Sequence, residues 1–134
     1  MRAFFDTNIL VYAAQDGRKA SIASGLIASG GVVSAQVLNE FVSVSRKKLK
    51  RRFDEVERAL DAVKGSVSEI LPLTGHTNAA AIRIARNHSL SFYDALIVAS
   101  ALEADCEVLW SEDMQHGRAF GALVILNPFL DEAA

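Results

Sequence analysis

A chain of 134 residues with one cysteine, two prolines and 7 % aromatic residues is most easily read first from what it lacks. The single thiol, Cys106, excludes an internal disulfide, a zinc site built on paired cysteines and a dithiol redox centre. Scarce proline and only eight glycines exclude a fibrous or proline-rich extended chain, and 51 % hydrophobic residues exclude an intrinsically disordered one. Long apolar runs are absent: Ala95 to Leu102 falls far short of the roughly 20 residues a membrane span requires. The N-terminal apolar run is cut by Asp6 and Asn8, so it lacks the uninterrupted core of a secretory leader. The expectation is one cytoplasmic domain over residues 1–134, with one hydrophobic core and no membrane contact.

The net charge of -2 conceals a split. Residues 1–72 carry 11 Lys/Arg against 8 Asp/Glu, a surplus of +3, whereas residues 73–134 carry 3 against 8, a deficit of -5. Six of the 14 basic residues fall in the run Arg46 to Arg52, which gives an otherwise acidic protein a positive patch.

Hydrophobic periodicity places short strands at Arg2 to Phe5, Val32 and Val33, Ile70 to Leu73, Val108 to Trp110 and Leu123 to Leu126. Helices are expected over Asn8 to Ala14, Ala20 to Ser29, Ala35 to Leu49, Asp54 to Lys64, Thr77 to Asn87 and Ser91 to Ala104. The last is apolar nearly all round, the mark of a central buried helix. Strands alternating with helices of ten to fifteen residues imply an α/β fold, a three-layer sandwich around a mostly parallel sheet, because parallel strands need crossovers of about that length.

Four carboxylates occupy positions with chemical meaning. Asp6 ends the first strand, where ligands bind in open α/β sheets; the same position suits a helix cap on Thr7. Glu40 aligns with Val37 and Val44 on a core-facing stripe, where an ionised carboxylate needs a partner unless its head reaches solvent at the stripe's edge. Asp94 precedes Ile97, Val98 and Ala101 on the most apolar helix, and also completes a capping box with Ser91. Asp113 follows a strand, beside the competing acid Glu112, and either one also reads as an ordinary loop acid. Four acids at strand ends or first helical turns can converge on one crevice. Their mutual repulsion is relieved by a hard divalent cation, Mg²⁺ or Mn²⁺, which can activate water for attack on a phosphodiester.

Phe5-Asp6-Thr7-Asn8-Ile9-Leu10, Asn39-Glu40-Phe41, Tyr93-Asp94-Ala95-Leu96 and Leu109-Trp110-Ser111-Glu112-Asp113-Met114 resemble, in order and spacing, the successive acidic motifs of PIN-domain nucleases. Within that family the chain is most similar to the VapC-type toxins of bacterial toxin-antitoxin pairs, and the similarity covers essentially its whole length. The resemblance implies a metal-dependent endoribonuclease that forms a homodimer and is inhibited by a cognate antitoxin occupying the groove near its active site. It implies Asp6, Glu40, Asp94 and Asp113 as catalytic, metal-binding acids, with Thr7, Asn8 and Ser111 as supporting polar groups; local turn or cap hydrogen bonding accounts for those three equally well.

In the basic run, Lys47, Lys48, Lys50 and Arg51 are candidates for contacting RNA phosphates, against a plain helix end whose cations offset the helix dipole. His76, His88 and His116 fall in turns or helix ends and are expected at the surface. Tyr93 and Trp110 are expected to pack in the core or at a dimer interface, with base stacking as the alternative. Two other functions compete. An aspartyl-phosphate protein wants a second Asp where this chain has Asn8, or an Asp after the third strand, where Leu71-Pro72-Leu73-Thr74 has none. A catalytically idle module for RNA or protein binding keeps the fold without the chemistry, and the presence of all four acids speaks against it.

Overall fold

The computed structural model describes residues 1–130. The chain runs β1 (Ala3–Phe5), α1 (Thr7–Ala13), α2 (Arg18–Ala28), β2 (Val32–Ser34), α3 (Ala35–Lys47), α4 (Phe53–Ser66), β3 (Glu69–Leu71), α5 (Gly75–His88), α6 (Phe92–Glu103), β4 (Val108–Trp110), β5 (Ala119–Phe120) and β6 (Leu123–Leu126). One sheet holds all six of these strands in the order β3-β2-β1-β4-β6-β5. Every pairing is parallel except β5 with β6.

Successive side chains of a strand point to opposite faces, so Phe4 and Phe5, both fully buried, show that β1 is covered on both sides. Val32 and Val33 show the same for β2. That is the three-layer arrangement, and it explains why these strands read as short continuous apolar runs rather than as alternating ones. α1, α2, α3 and α4 pack among themselves, and α5 packs along α6. From Ala95 to Ala101 every residue of α6 is buried, as its uniform apolarity requires.

The first glycine-dependent contact is at the start of β2. A Cβ on Gly31 would stand 2.6 Å from the Phe5 ring and 2.8 Å from the Ala3 carbonyl oxygen, so only glycine lets the chain come this close to β1. The chain adds β2 and β3 on one side of β1, then returns to place β4 on the other. The carboxyl ends of β1 and β4 therefore flank the point where the strand order reverses, which is where open α/β sheets form a crevice.

Two departures from the sequence reading concern the sheet's margins. β5 was not anticipated: two residues are too few to show a period, and Gly121, at φ +61°, makes the turn that returns the chain antiparallel. The third strand is Glu69–Leu71 rather than Ile70 to Leu73, and it is partly exposed because it lies at the sheet's edge.

Candidate active site

Asp6 leaves β1 with its amide N–H bonded to the Trp110 carbonyl of β4 at 3.0 Å, so the strand ends stand side by side. Its carboxylate serves two neighbours at once. Oδ1 accepts from the Thr7 N–H at 2.7 Å and caps α1, while Oδ2 accepts from the fully buried Ser111 hydroxyl, also at 2.7 Å. The cap on α1 thus uses one oxygen of Asp6, and the bond from β4's end uses the other.

The polar residues beside the acids knit the site together. Thr7 Oγ1 donates to Glu40 at 2.9 Å, joining α1 to α3. Asn8 Nδ2 donates to Asp113 at 3.1 Å and, more weakly, to Asp6 at 3.4 Å, while its carbonyl oxygen accepts the Glu112 N–H at 3.1 Å. Ser91 accepts from the Asp94 N–H at 3.2 Å and starts α6. Asp6, Glu40, Asp94 and Asp113 then line one cleft of about 370 Å³, together with Thr7, Asn8, Tyr12, Lys48 and Glu112. Asn8 and Asp113, 105 residues apart in the chain, meet here because β1 and β4 are neighbours in the sheet.

Electrostatics separate the acids into two kinds. Burial raises Asp6 from the ordinary 3.8 to about 6; the Ser111 and Thr7 hydrogen bonds oppose that rise, and the charges of Glu40 and Asp94 add to it. Burial also raises Glu40, against the Thr7 hydrogen bond and with help from Asp94. Asp94 is raised by burial, against Ser91 and with help from Asp113. Glu112 is the opposite case. Burial pushes it upward, but hydrogen bonds from Lys19 and Tyr12 outweigh that and hold it below the ordinary glutamate range. Glu112 and Asp113 thus face different partners: Glu112 is paired with Lys19, whereas Asp113 accepts from the neutral Asn8 amide.

Oxygen donors carrying surplus negative charge, in a cleft where Lys48 is the one lining cation among the described residues, match the needs of a hard divalent ion. Among the described residues, however, no three His, Cys, Asp or Glu side chains are already gathered around one point. Asp6 and Asp113 accept hydrogen bonds from Thr7, Ser111 and Asn8 instead. The donor set fits Mg²⁺ or Mn²⁺ by chemistry and charge, with Asp6, Glu40, Asp94 and Asp113 as the available ligands.

The same fold and the same four motifs bear on family. The family model for the PIN domain matches residues 3–120. The chain belongs to the PIN domain family. Solved structures agree in fold. VapC20 of Mycobacterium tuberculosis, described as a sarcin-ricin loop cleaving toxin, superposes with a TM-score of 0.69 at 19 % identity, over 83 % of this chain and 89 % of that one. A toxin-antitoxin complex from Klebsiella pneumoniae gives 0.70 at 22 %, over 95 % and 98 %. VapBC2 from Rickettsia felis, bound to a DNA fragment from its promoter, gives 0.68 at 20 %, over 93 % and 97 %. A search of curated proteins gave no match.

The basic run of this PIN domain divides on inspection. Lys48 lines the cleft, and Lys47 and Lys50 are exposed. Arg51 differs from them: its guanidinium donates to the Ala14 carbonyl at 3.0 Å and ties the chain after α3 to the end of α1. The three histidines are exposed, as expected. Trp110 packs against the core, whereas Tyr93 is 59 % exposed and is not a core residue of this chain. Tyr12 and Lys19 escaped the sequence reading; their contacts with Glu112 span 100 and 93 positions, and no local pattern announces them.

Proposed function

We propose that this PIN-domain protein is a metal-dependent endoribonuclease, the toxin of a toxin-antitoxin pair, that cleaves RNA phosphodiesters with water as the nucleophile. The observation that carries the reading is the uncompensated acid cluster at the sheet's switch point, with Asp6 buried at its base. Among the described residues no histidine lines the cleft, which disfavours an imidazole acid-base pair acting on the ribose 2′-hydroxyl.

Asp6, Asp94 and Asp113, with Glu40, would hold the ion. A divalent cation bound there supplies neutralisation of the acids, activation of water and stabilisation of charge on the phosphate oxygens. The chain's own residues do the positioning. Ser111 and Thr7 fix the two oxygens of Asp6, Thr7 orients Glu40, and Asn8 ties Asp113 to the first strand's end. Lys48 stands at the cleft to meet a backbone phosphate, with exposed Lys47 and Lys50 extending that positive edge. The fold shared with the Klebsiella pneumoniae and Rickettsia felis assemblies supports a protein antitoxin as partner, and a homodimer completes the reading.

End-mapping of cleaved RNA tests the chemistry. Water attack is expected to leave no 2′,3′-cyclic phosphate, with cleavage lost on chelation and in Asp94→Asn. Cyclic phosphate ends, or cleavage that survives chelation, would overturn the mechanism.

A further inference from the structure

The loop after β4 presents two adjacent acids that face different surroundings. Glu112 accepts from the Tyr12 hydroxyl at 2.6 Å on one oxygen and from the Lys19 ammonium on the other. Lys19 lies 4.8 Å from the centroid of the Tyr12 ring and 5.5 Å from that of Phe129, and these two rings meet edge to face at 4.9 Å. Asp113 instead accepts from Asn8, whose other end receives the Glu112 N–H. Glu112 nevertheless borders the same cleft as the four acids. Released from its partners, its flexible side chain would bring a further carboxylate to that cleft, next to the acid already there.

We propose that Lys19 and Tyr12 are positioning residues for the active site: they hold the Glu112 carboxylate to themselves at the cleft's border and so leave Asp113 as the acid this loop offers to the metal. The inference rests on the metal-nuclease reading above and deepens it. An ion pair with side chains 42 % and 23 % exposed adds little to overall stability, so its loss is expected to show in the site rather than in the fold. The aromatic pair restricts where the ammonium can go, and Phe129 thereby extends the support to the segment after β6.

The test is a Mn²⁺ titration followed by the electron paramagnetic resonance signal of the free ion, with melting temperatures checked alongside. Four proteins are compared: wild type, Lys19→Met/Tyr12→Phe, Glu112→Gln and the triple variant. The double variant is expected to bind Mn²⁺ more tightly, on the order of tenfold, because ligand charge sets affinity. Glu112→Gln is expected to match wild type, and the triple variant to match Glu112→Gln. If the double variant does not fold, Lys19→Met alone is expected to move affinity the same way by a smaller factor. Unchanged or weaker binding in the clamp variant overturns the proposal, as does a gain that persists in the triple variant, which would be the lost lysine charge alone. Absence of Mn²⁺ binding by wild type overturns the metal reading and this proposal with it; wild-type binding with an unresponsive clamp overturns only the positioning role.

Discussion

Replacing Asp6 by asparagine is expected to make the metal-free protein more stable while removing its function. Asp6 is 6 % exposed, and its carboxyl is raised from 3.8 to about 6. Ionising it in the folded chain therefore costs roughly 3 kcal/mol more than in the unfolded chain. The sign follows from proton uptake. Between pH 4 and 6 the folded state keeps a proton that the unfolded state has lost, so this contribution is fully present below about 4 and is lost as pH rises through about 6. Asparagine keeps the cap on Thr7 and removes the charge, but the amide nitrogen that replaces Oδ2 can accept from neither Ser111 nor Asn8, which costs about 1 kcal/mol. The balance is a gain of about 2 kcal/mol at pH 7.5, or roughly 8 °C in melting temperature for a domain of this size. Thermal melts of both proteins in EDTA across pH 4 to 8 measure it, and the gain is expected to shrink toward pH 4. Adding millimolar Mn²⁺ is expected to raise wild type and leave Asp6→Asn unmoved. A variant less stable than wild type at pH 7.5, or a difference indifferent to pH, would refute the electrostatic argument.

Ser111→Ala removes the buried donor to Asp6, so the acidic limb of the pH profile of kcat/KM is expected to move to higher pH, with about 1–2 kcal/mol lost in denaturant melts; an unmoved limb would contradict this. Lys48→Met is expected to weaken RNA binding and to lower its salt dependence by about one ion without weakening Mn²⁺ binding, whereas Arg51→Met, which loses the bond to Ala14, is expected to lower stability first; filter binding at several salt concentrations and thermal melts separate the two. Gly31→Ala drives a methyl into the Phe5 ring and the Ala3 carbonyl and is expected to cost about 1–3 kcal/mol in denaturant melts, the backbone contact leaving little room to relax.

How much of this was legible beforehand differs residue by residue. Asp6, Asp94 and the strand after Glu107 could be read because each sits at a change of hydrophobic period, and such changes are local properties of the sequence. Convergence on one cleft is a property of strand order. Placing β4 beside β1 brings Ser111 to Asp6, and no periodicity states which strands are neighbours. The Glu112 and Asp113 ambiguity had the same origin. The two acids look alike in sequence and are distinguished by Lys19 and Tyr12 on one and Asn8 on the other, all contributed by helices from the other end of the chain. Arg51 likewise looked like one of a run of cations until the Ala14 carbonyl claimed it. β5, at two residues, carried no pattern to read.

The acid cleft is proposed as a metal-dependent ribonuclease site. Its most direct test follows a fluorescently labelled structured RNA with wild type, Asp6→Asn and Asp94→Asn, each in EDTA, Mg²⁺ and Mn²⁺ and each verified as folded. Wild type is expected to cleave only when the divalent ion is present, and neither variant under any condition. Wild-type cleavage in EDTA, or full cleavage by the two variants, would contradict it.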